Sequence, residues 1–255
     1  MLSIITITYN NYEELMKTLN SIPKSDFVES IVINGGECEK TKEFLKTYPG
    51  KSVSEKDNGI ADAFNKGVNL SSGKYIMFLN SGDVLLENSY PGKALEILEN
   101  KGQYDFTHSS LLFVDENDNE LFMRPQMKSL GRGMPYLHPT MIVRKKVFEK
   151  TGLFNKDINI AMDFDWVVRL EMNNFKGFYL NEDAVVKMDG KGKSVIEESE
   201  AIKECYSILK AHNYLTFQNN IGFAVRYVLY LGRVFLVRVG LKKQLTSMKK
   251  IKHSK

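Results

Sequence analysis

The sequence predicts an α/β fold in which a mostly parallel, Rossmann-like sheet is flanked by helices. Short apolar, β-branched runs at residues 2–7, 30–33 and 74–79 each stop abruptly at a turn of polar residues and glycine, and helical patterns separate them. Runs of this kind are typical of strands that are buried on both faces of a sheet. Strand–turn–helix units at regular spacing imply parallel strands joined by right-handed crossovers.

In the first half of the chain the elements follow in a clear order. The first strand, 2–7, leads into an amphipathic helix that ends before Pro23. The second strand, 30–33, is followed by another helical pattern. An acidic turn then opens a third helix, and a Ser-Ser-Gly turn separates that helix from the strand at 74–79.

The second half carries fewer strong patterns. An apolar strand is predicted at 140–143, and a helix is predicted to begin at Asp163 and to bury Trp166 and Leu170. Residues 105–119 predict a strand and an acidic hairpin at the edge of the sheet.

Composition indicates a protein with one sizeable core. Hydrophobic residues make up 43% of the 255 residues, which suffices for a single core or for a core with a smaller appended region. The chain does not open with a charged segment followed by an apolar stretch, so we expect a cytoplasmic protein. Cys38 and Cys205 lack the spacing of a metal or redox motif, and we expect free thiols.

The C-terminal region is predicted to be a helical, basic extension. Residues 221–239 are apolar but contain three arginines, of which Arg226 and Arg233 share one helical stripe. An arginine near the centre of a membrane span costs roughly 2.5–3.5 kcal/mol, so a transmembrane helix is not expected. Residues 241–255 hold six lysines and no acid, which favours a helix in the interface of an anionic membrane.

The sequence of this region allows one other structure and argues against a second function. The helix can instead pack on its own domain and end in a basic tail. Nucleic-acid binding is not expected, because the basic run has no interleaved aromatic residues and no recognisable module.

Polar side chains just past the carboxyl ends of strands stand where open α/β sheets bind ligands. This chain carries the segments TITYNN, VINGG, SEKDNGIADAFNKG and GKYIMFLNSGD, and later HPTMIVRKKVFEKTGLFN and IAMDFDWVVRL. With the residues around them they cover roughly residues 2–195. In their order and spacing these motifs resemble family 2 glycosyltransferases of the GT-A fold, of the kind that builds bacterial surface polysaccharides. The alternative is a generic doubly wound domain whose polar turns only cap helices.

The resemblance implies an organisation and an activity. It implies a nucleotide-sugar-binding half at 1–105, an acceptor-binding and catalytic half of the same domain at 106–200, and the extension at 201–255. The implied reaction is inverting transfer of a sugar from a nucleotide-diphosphate donor, expected to be UDP-linked, to a hydroxyl of a saccharide. A lipid-linked or oligosaccharide acceptor at the inner face of the cell membrane is expected.

The same motifs suggest which residues bind the donor. They are Thr8, Tyr9, Asn10, Asn34, Glu55, Asp57, Asn65, Lys66 and Asn80. Family members usually carry an acidic pair in the second loop, where this chain has Asn34 and Gly35, so Glu55 and Asp57 are the acidic candidates for the base or the ribose.

The helix after the acidic turn presents Asp62, Asn65 and Lys66 on one face. Lys66 is expected to meet the diphosphate as a point charge. Alternatively, Asp62 neutralises Lys66, and Asp57 or Asn58 only caps the helix.

A divalent cation, Mn²⁺ or Mg²⁺, is expected near the end of the strand at 74–79. Family members usually have an Asp-x-Asp motif there, and its main metal-binding carboxylate aligns with Gly82. Asp83 is the remaining acid, and one carboxylate with substrate phosphates and water can hold such a cation. Alternatively, Asp83 is a turn residue, and Lys66 with a helix end carries the diphosphate charge.

The resemblance assigns the general base to Asp163. A second acid usually precedes it, and this chain has Met162 there. His138 is a candidate for contact with the diphosphate, the metal or the acceptor, or is only a hydrogen-bonding residue at a strand start. Asp165 is expected to pair with Arg169, four residues later.

The glycine-rich, basic loop at 188–194 is a candidate lid that excludes water, or an ordinary exposed turn. Two rival functions stay open at this point. One is an inactive subunit that binds sugar nucleotides, suggested by the acids missing at Asn34 and Gly82. The other is a nucleotidylyltransferase of similar fold, although TYNNYEE is not the Gly-rich, Lys/Arg-bearing loop that such an enzyme uses.

Overall fold

A computed structural model describes residues 1–115, 117–126, 129–190 and 197–239, and for Val237 the backbone only. The strands are β1 Leu2–Thr8, β2 Val28–Asn34, β3 Lys51–Ser54, β4 Tyr75–Phe78, β5 Val84–Leu85, β6 Phe106–His108, β7 Leu111–Val114, β8 Glu120–Met123, β9 Ile142–Arg144, β10 Gly177–Tyr179 and β11 Val186–Asp189. The helices are α1 Tyr12–Ser21, α2 Glu39–Lys46, α3 Ile60–Leu70, α4 Tyr90–Asn100, α5 Val147–Thr151, α6 Met162–Met172, α7 Glu198–Ala211 and α8 Phe217–Arg238. Short 3₁₀ turns cover Leu130–Arg132 and His138–Thr140.

Within the described residues, the main sheet has seven strands in the order β10-β6-β9-β4-β1-β2-β3. Strands β1 to β4 run parallel, whereas β9 is antiparallel to both β4 and β6. The parallel, helix-flanked first half is what the sequence predicts. Because β9 pairs directly with β4, the second half of the chain continues the same sheet.

Two predictions about strands were incomplete. The edge strand β3 was not predicted, because its sequence, KSVS, shows no apolar run. The strand predicted at 140–143 begins only at Ile142, since Pro139 and Thr140 form a 3₁₀ turn in which the Thr140 hydroxyl bonds the Leu137 and Ser109 carbonyl oxygens.

The region predicted as edge structure, 105–119, divides between two sheets. Strand β6 lies inside the main sheet, between β10 and β9, so the prediction was wrong for this part. Strand β7 belongs to a four-stranded sheet of order β5-β11-β7-β8, in which the acidic hairpin connects β7 to the edge strand β8. Strand β11 therefore lies beside β5, and β5 begins just after the polar turn that follows β4.

The main sheet separates the two larger of the three apolar clusters in the described core. Ile76 and Phe78 of β4 belong to one cluster, whereas Tyr75 and Met77 belong to the other, as expected for alternating side chains of a strand. The first cluster contains Trp166 of α6, which is 1% exposed. Burial on both faces explains why the sequence of β4 is uniformly apolar.

The C-terminal extension forms an antiparallel pair of helices. Tyr206 of α7 contacts Phe223 of α8 with ring centroids 4.6 Å apart, and Arg233 pairs with Glu198 further along. Among the residues described, no helix combines the length and the apolar character needed to cross a membrane. The lysine-rich residues 241–255 and most of the predicted lid, 191–194, lie outside the described residues.

Asn65 ties α3 to the segment before α6. Its side-chain amide donates to the Phe154 carbonyl oxygen at 2.8 Å, and its Oδ1 accepts the Phe154 N–H at 2.9 Å. The side chain is 8% exposed, and the predicted donor-binding residue is thus engaged with the protein's own backbone.

We expect Asn65→Ala to lower the free energy of unfolding by about 2–4 kcal/mol, because a buried N–H and a buried carbonyl oxygen each lose their partner. Urea denaturation followed by circular dichroism measures the change. Asn69→Ala, at an exposed position of the same helix, is the matched control and should change stability by less than about 0.5 kcal/mol. Equal stability of the two variants would contradict this role of Asn65.

Candidate active site

A cleft of about 630 Å³ lies at the carboxyl ends of β1 and β4 and at the start of α6. It brings together seven of the residues that the sequence analysis singled out, namely Thr8, Tyr9, Asp57, Asn80, Asp83, His138 and Asp163. It also includes Asn11 and Glu14, which were not predicted as site residues, and Met188 and Asp189, which begin the loop predicted as a lid. The cleft joins the loops of the first half to the beginning of α6 in the second half.

The loop after β1 is held in place by two asparagines. Asn11 accepts hydrogen bonds from the Thr8 hydroxyl and from the Tyr9 N–H. Asn10 adopts a left-handed backbone conformation, with φ of 55°, and its Oδ1 accepts the N–H groups of Glu37 and Cys38. Asn10 therefore ties this loop to the loop after β2, whereas the Tyr9 ring is 72% exposed at the cleft.

The loop after β2 is built around Asn34, which is fully buried. Its side chain bonds both the N–H and the carbonyl oxygen of Gly36, and it donates to the Ser54 hydroxyl at 2.8 Å. Asn34 thus shapes the turn and does not line the cleft. At Gly35, a Cβ atom would lie only 2.0 Å from a carboxylate oxygen of Asp57, so the absence of a side chain at position 35 lets Asp57 approach this turn.

Lys66 lies among carboxylates. Its Nζ is 2.7 Å from Asp57, 3.0 Å from Glu55 and 3.6 Å from Asp62. Burial lowers the pKa of Lys66, but hydrogen bonds with Asp57 and Glu55 outweigh this effect and hold the pKa above its usual value. Lys66 is not among the residues that line the cleft, and its contact with a diphosphate stays a prediction.

Asp62 supports the start of α3. Its carboxylate accepts the Asn58 N–H at 3.0 Å, and this bond, followed by the charges of Lys66 and Lys156, lowers the pKa of Asp62 against the opposing effect of burial. Gly59, with φ of 97°, precedes the helix, so the predicted cap at Asp57 or Asn58 was wrong. The left-handed backbone there favours glycine.

Asp83 is a deeply buried carboxylate, only 4% exposed. It accepts the Asp189 N–H at 3.1 Å, and burial raises the pKa of Asp83 to about 7. The preceding residue, Gly82, has φ of 104°, and an added Cβ there would lie 3.4 Å from the carboxylate of Asp189 and 3.8 Å from that of Glu14. Carboxylates from α1 and β11 thus lie close to Gly82.

Asp163 and His138 face the cleft from the second half. Asp163 is the second residue of α6, where the helix dipole favours a negative charge, and its Oδ1 accepts the Phe164 N–H at 2.7 Å. Burial raises the pKa of Asp163 and lowers that of His138, and each group partly offsets the shift of the other. The His138 ring stacks on Phe78 with centroids 5.4 Å apart, so its position is fixed by the core.

Asp165 has a different environment from Asp163, although both belong to α6. It is 3% exposed, and its Oδ2 accepts two hydrogen bonds from Arg169, at 3.0 Å and 2.7 Å, which is the predicted pair. Its other oxygen lies 2.8 Å from Nε2 of His212, just after α7. Asp165 therefore connects α6 to the C-terminal extension and does not line the cleft.

A second hollow, of about 470 Å³, lies at the opposite end of β4 and contains four basic residues. Three of them already bond the protein: Lys74 pairs with Glu99, Lys145 donates to the Ser71 carbonyl oxygen, and Arg144 donates to Tyr75 and Tyr104. The larger cleft gathers the predicted residues, and we take it as the candidate active site.

Comparisons with known proteins agree with this architecture. The model of the family "Glycosyl transferase family 2" matches residues 3–164, more than half of the chain. The chain therefore belongs to the family 2 glycosyltransferases, and the resemblance seen in the sequence is confirmed at the level of the family.

Two relatives and two solved structures illustrate the similarity. An uncharacterized glycosyltransferase of Methanocaldococcus jannaschii is 28% identical over 245 residues, covering 88% of this chain and 83% of the relative. An uncharacterized glycosyltransferase of Mycobacterium tuberculosis is 28% identical over 177 residues, covering 66% of this chain and 67% of the relative.

The S. aureus TarS structure in complex with UDP-GlcNAc has a TM-score of 0.65 at 15% identity, covering 89% of this chain and 71% of that one. The mannosyltransferase from Pyrobaculum calidifontis in complex with GDP-Man and Mn²⁺ has a TM-score of 0.60 at 15% identity, covering 98% and 85%. At such identities the similarity shows the fold, and the predicted GT-A class is confirmed.

Proposed function

We propose that this glycosyltransferase moves a sugar, with inversion, from a UDP-linked donor to a hydroxyl of a lipid-linked or oligosaccharide acceptor in the synthesis of a bacterial surface polysaccharide. The observation that carries the proposal is the shared cleft, in which Asp163 of α6 faces the same space as the polar ends of β1 and β4. UDP-GlcNAc in a structural neighbour supports the choice of nucleotide.

The nucleoside is placed at the loops after β1 and β2. The exposed ring of Tyr9 offers a stacking surface for the base, and Asp57 offers a carboxylate to a uracil N–H or a ribose hydroxyl. Because Asp57 lies against Gly35, its carboxylate reaches the loop from which the usual acidic pair is missing.

A divalent cation fits the residues at the end of β4. Asp83 and Asp189 both line the cleft there and are joined by a hydrogen bond, and hard cations such as Mn²⁺ and Mg²⁺ prefer oxygen ligands. In the described part of the chain, no group of three or more acids, histidines or cysteines is arranged to hold a metal by itself. This arrangement suits a cation that is also held by the donor diphosphate. When bound, the cation supplies positive charge to the leaving diphosphate.

Asp163 acts as the general base. Its carboxylate takes the proton of the acceptor hydroxyl while the hydroxyl oxygen forms a bond to C1 of the sugar and the bond from C1 to the diphosphate oxygen breaks. Burial raises the pKa of Asp163, so the activity should rise with pH as the group ionises, above the pH range of an ordinary aspartate. His138 is fixed beside it by the aromatic core and is placed to hold the acceptor or a phosphate oxygen.

The alternative function is that of a subunit that binds sugar nucleotides but does not catalyse transfer. It predicts donor binding without turnover, whereas the proposal predicts both. Release of UDP from a panel of UDP-sugars, with and without Mn²⁺ and with a saccharide acceptor, separates the two.

We expect Asp163→Asn to reduce turnover by roughly 10²–10⁴ because the amide keeps the shape but cannot accept the proton. UDP affinity, measured by calorimetry, should stay near that of the wild type. Asp157→Asn, at an exposed position before α6, is the control. Normal turnover of the Asp163→Asn variant would show that Asp163 is not the general base.

We expect Asp57→Ala and Gly35→Ala each to weaken UDP binding by roughly tenfold, the first by removing a charged hydrogen-bond partner and the second by displacing it. In the double variant, Gly35→Ala should add little to the loss of UDP affinity that Asp57→Ala causes, since the carboxylate is already absent. Gly92→Ala, where an added Cβ meets nothing within 4 Å, is the matched control. Additive losses in calorimetric titrations with UDP would show that the two positions act separately.

We expect Asp83→Asn and Asp189→Asn each to weaken Mn²⁺ binding to the UDP complex, because each removes an anionic oxygen ligand. Electron paramagnetic resonance of free Mn²⁺ measures the affinity directly. Asp183→Asn, at an exposed position shortly before β11, should bind Mn²⁺ like the wild type. If UDP binds normally but Mn²⁺ affinity is unchanged in both variants, the cation is not held by these residues.

A further inference from the structure

Helix α8 has two faces of opposite character, and the polar one faces the protein. Arg233 pairs with Glu198 of α7, and Arg226 lies beside Gly133, near the 3₁₀ turn Leu130–Arg132. Gly222 is also buried against that turn. Both arginines are therefore packed on the protein's own domain, which agrees with the alternative interpretation in which this helix packs there.

The opposite face of α8 is an exposed apolar stripe. At about 100° per residue its members fall within an arc of about 80°. They are Phe217, Ile221, Ala224, Val228, Leu231 and Phe235 of the helix and Val239 just after it, and all of them are exposed. Phe217, Val228 and Phe235 expose 80%, 66% and 63% of their surface. No charged residue interrupts this set.

The apolar stripe is long and narrow. The rise of an α-helix places Phe235 about 27 Å from Phe217 along the axis. Single exposed apolar residues are ordinary, whereas apolar residues aligned along one helix face are typical of helices that lie in a membrane interface. With a width of about 10 Å, the stripe offers roughly 270 Å², well below the roughly 800 Å² per partner of a stable protein interface. A second copy of the chain is thus a poor occupant.

We propose that the apolar stripe of α8 lies on the surface of an anionic lipid bilayer and holds the protein at the inner face of the cell membrane. The sequence that follows the helix supports this occupant, since residues 241–255 hold six lysines, one histidine and no acid. Basic segments beside an apolar helix face are attracted to anionic headgroups while the apolar side chains enter the acyl boundary. The surface is separate from the cleft, so the proposal stands or falls independently of the reaction.

Flotation of the full-length protein with vesicles tests this proposal. Phosphatidylcholine vesicles are compared with vesicles of phosphatidylcholine and phosphatidylglycerol at low and high salt. We expect binding to the anionic vesicles only, weakened by salt. The triple variant Val228→Ser, Leu231→Ser and Phe235→Ser should bind roughly 100-fold more weakly, because three apolar side chains are lost from the membrane contact.

The control variant is Leu86→Ser, which removes an apolar residue with 44% exposure outside α8 and should bind vesicles like the wild type. Thermal unfolding followed by circular dichroism should be the same for all variants, since the changed residues are exposed. Deletion of residues 241–255 should weaken binding mainly at low salt. Equal vesicle binding by the triple variant and the wild type would overturn the proposal.

Light scattering during size-exclusion chromatography provides the second measurement. A monomer without lipid is expected. A wild-type dimer that the triple variant converts to a monomer would show that a second copy covers the apolar stripe, and it would also overturn the membrane assignment.

Discussion

The pairing of β4 with β1 on one side and with β9 on the other is the constraint on which the site depends. Parallel pairing with β1 puts the carboxyl ends of both strands at one edge of the sheet. Antiparallel pairing with β9 brings the preceding turn, with His138, to the same edge. The aromatic core then fixes that turn, since His138 stacks on Phe78 and Trp166 of α6 stacks on Phe148. Asp163 is positioned as a consequence of this packing.

The charge of the cleft supports the proposal that a cation accompanies the donor. The described lining includes five carboxylates, namely Glu14, Asp57, Asp83, Asp163 and Asp189, and no lysine or arginine. A donor diphosphate entering this space is repelled by the acids unless positive charge accompanies it. Lys66 is already balanced by Asp57 and Glu55. In the proposed function, Asp83 and Asp189 would hold a cation that supplies this positive charge, and Lys66 would not be needed for that role.

The sequence predicts most of the sheet because burial on two faces leaves uniformly apolar runs, as in β1 and β4. It does not predict β3, which is polar, or the contribution of Glu14, and it places Asp189 only in a candidate lid. Glu14 and Asp189 come from elements that are distant in sequence and meet only in the fold. Asn34 and Asn65 were predicted as ligand residues from their position in motifs. In the structure their amides satisfy backbone groups, a role that sequence spacing cannot distinguish from ligand binding. For α8 the periodicity defines two faces but not which of them meets the protein.

Gly35 and Gly82 lie in motifs where the resemblance leads one to expect acidic residues. Their surroundings bear on whether the protein is an active enzyme. At both positions the space next to the glycine is occupied by a carboxylate from another element, Asp57 in one case and Asp189 in the other. A side chain at position 35 would displace Asp57, and the left-handed backbone at Gly82 disfavours any residue with a Cβ. Carboxylates from other elements therefore lie beside both glycines, although neither position itself carries an acid. An electrostatic role that requires a carboxylate in space does not require it at a given motif position, so the loss of the motif acids is weak support for an inactive subunit.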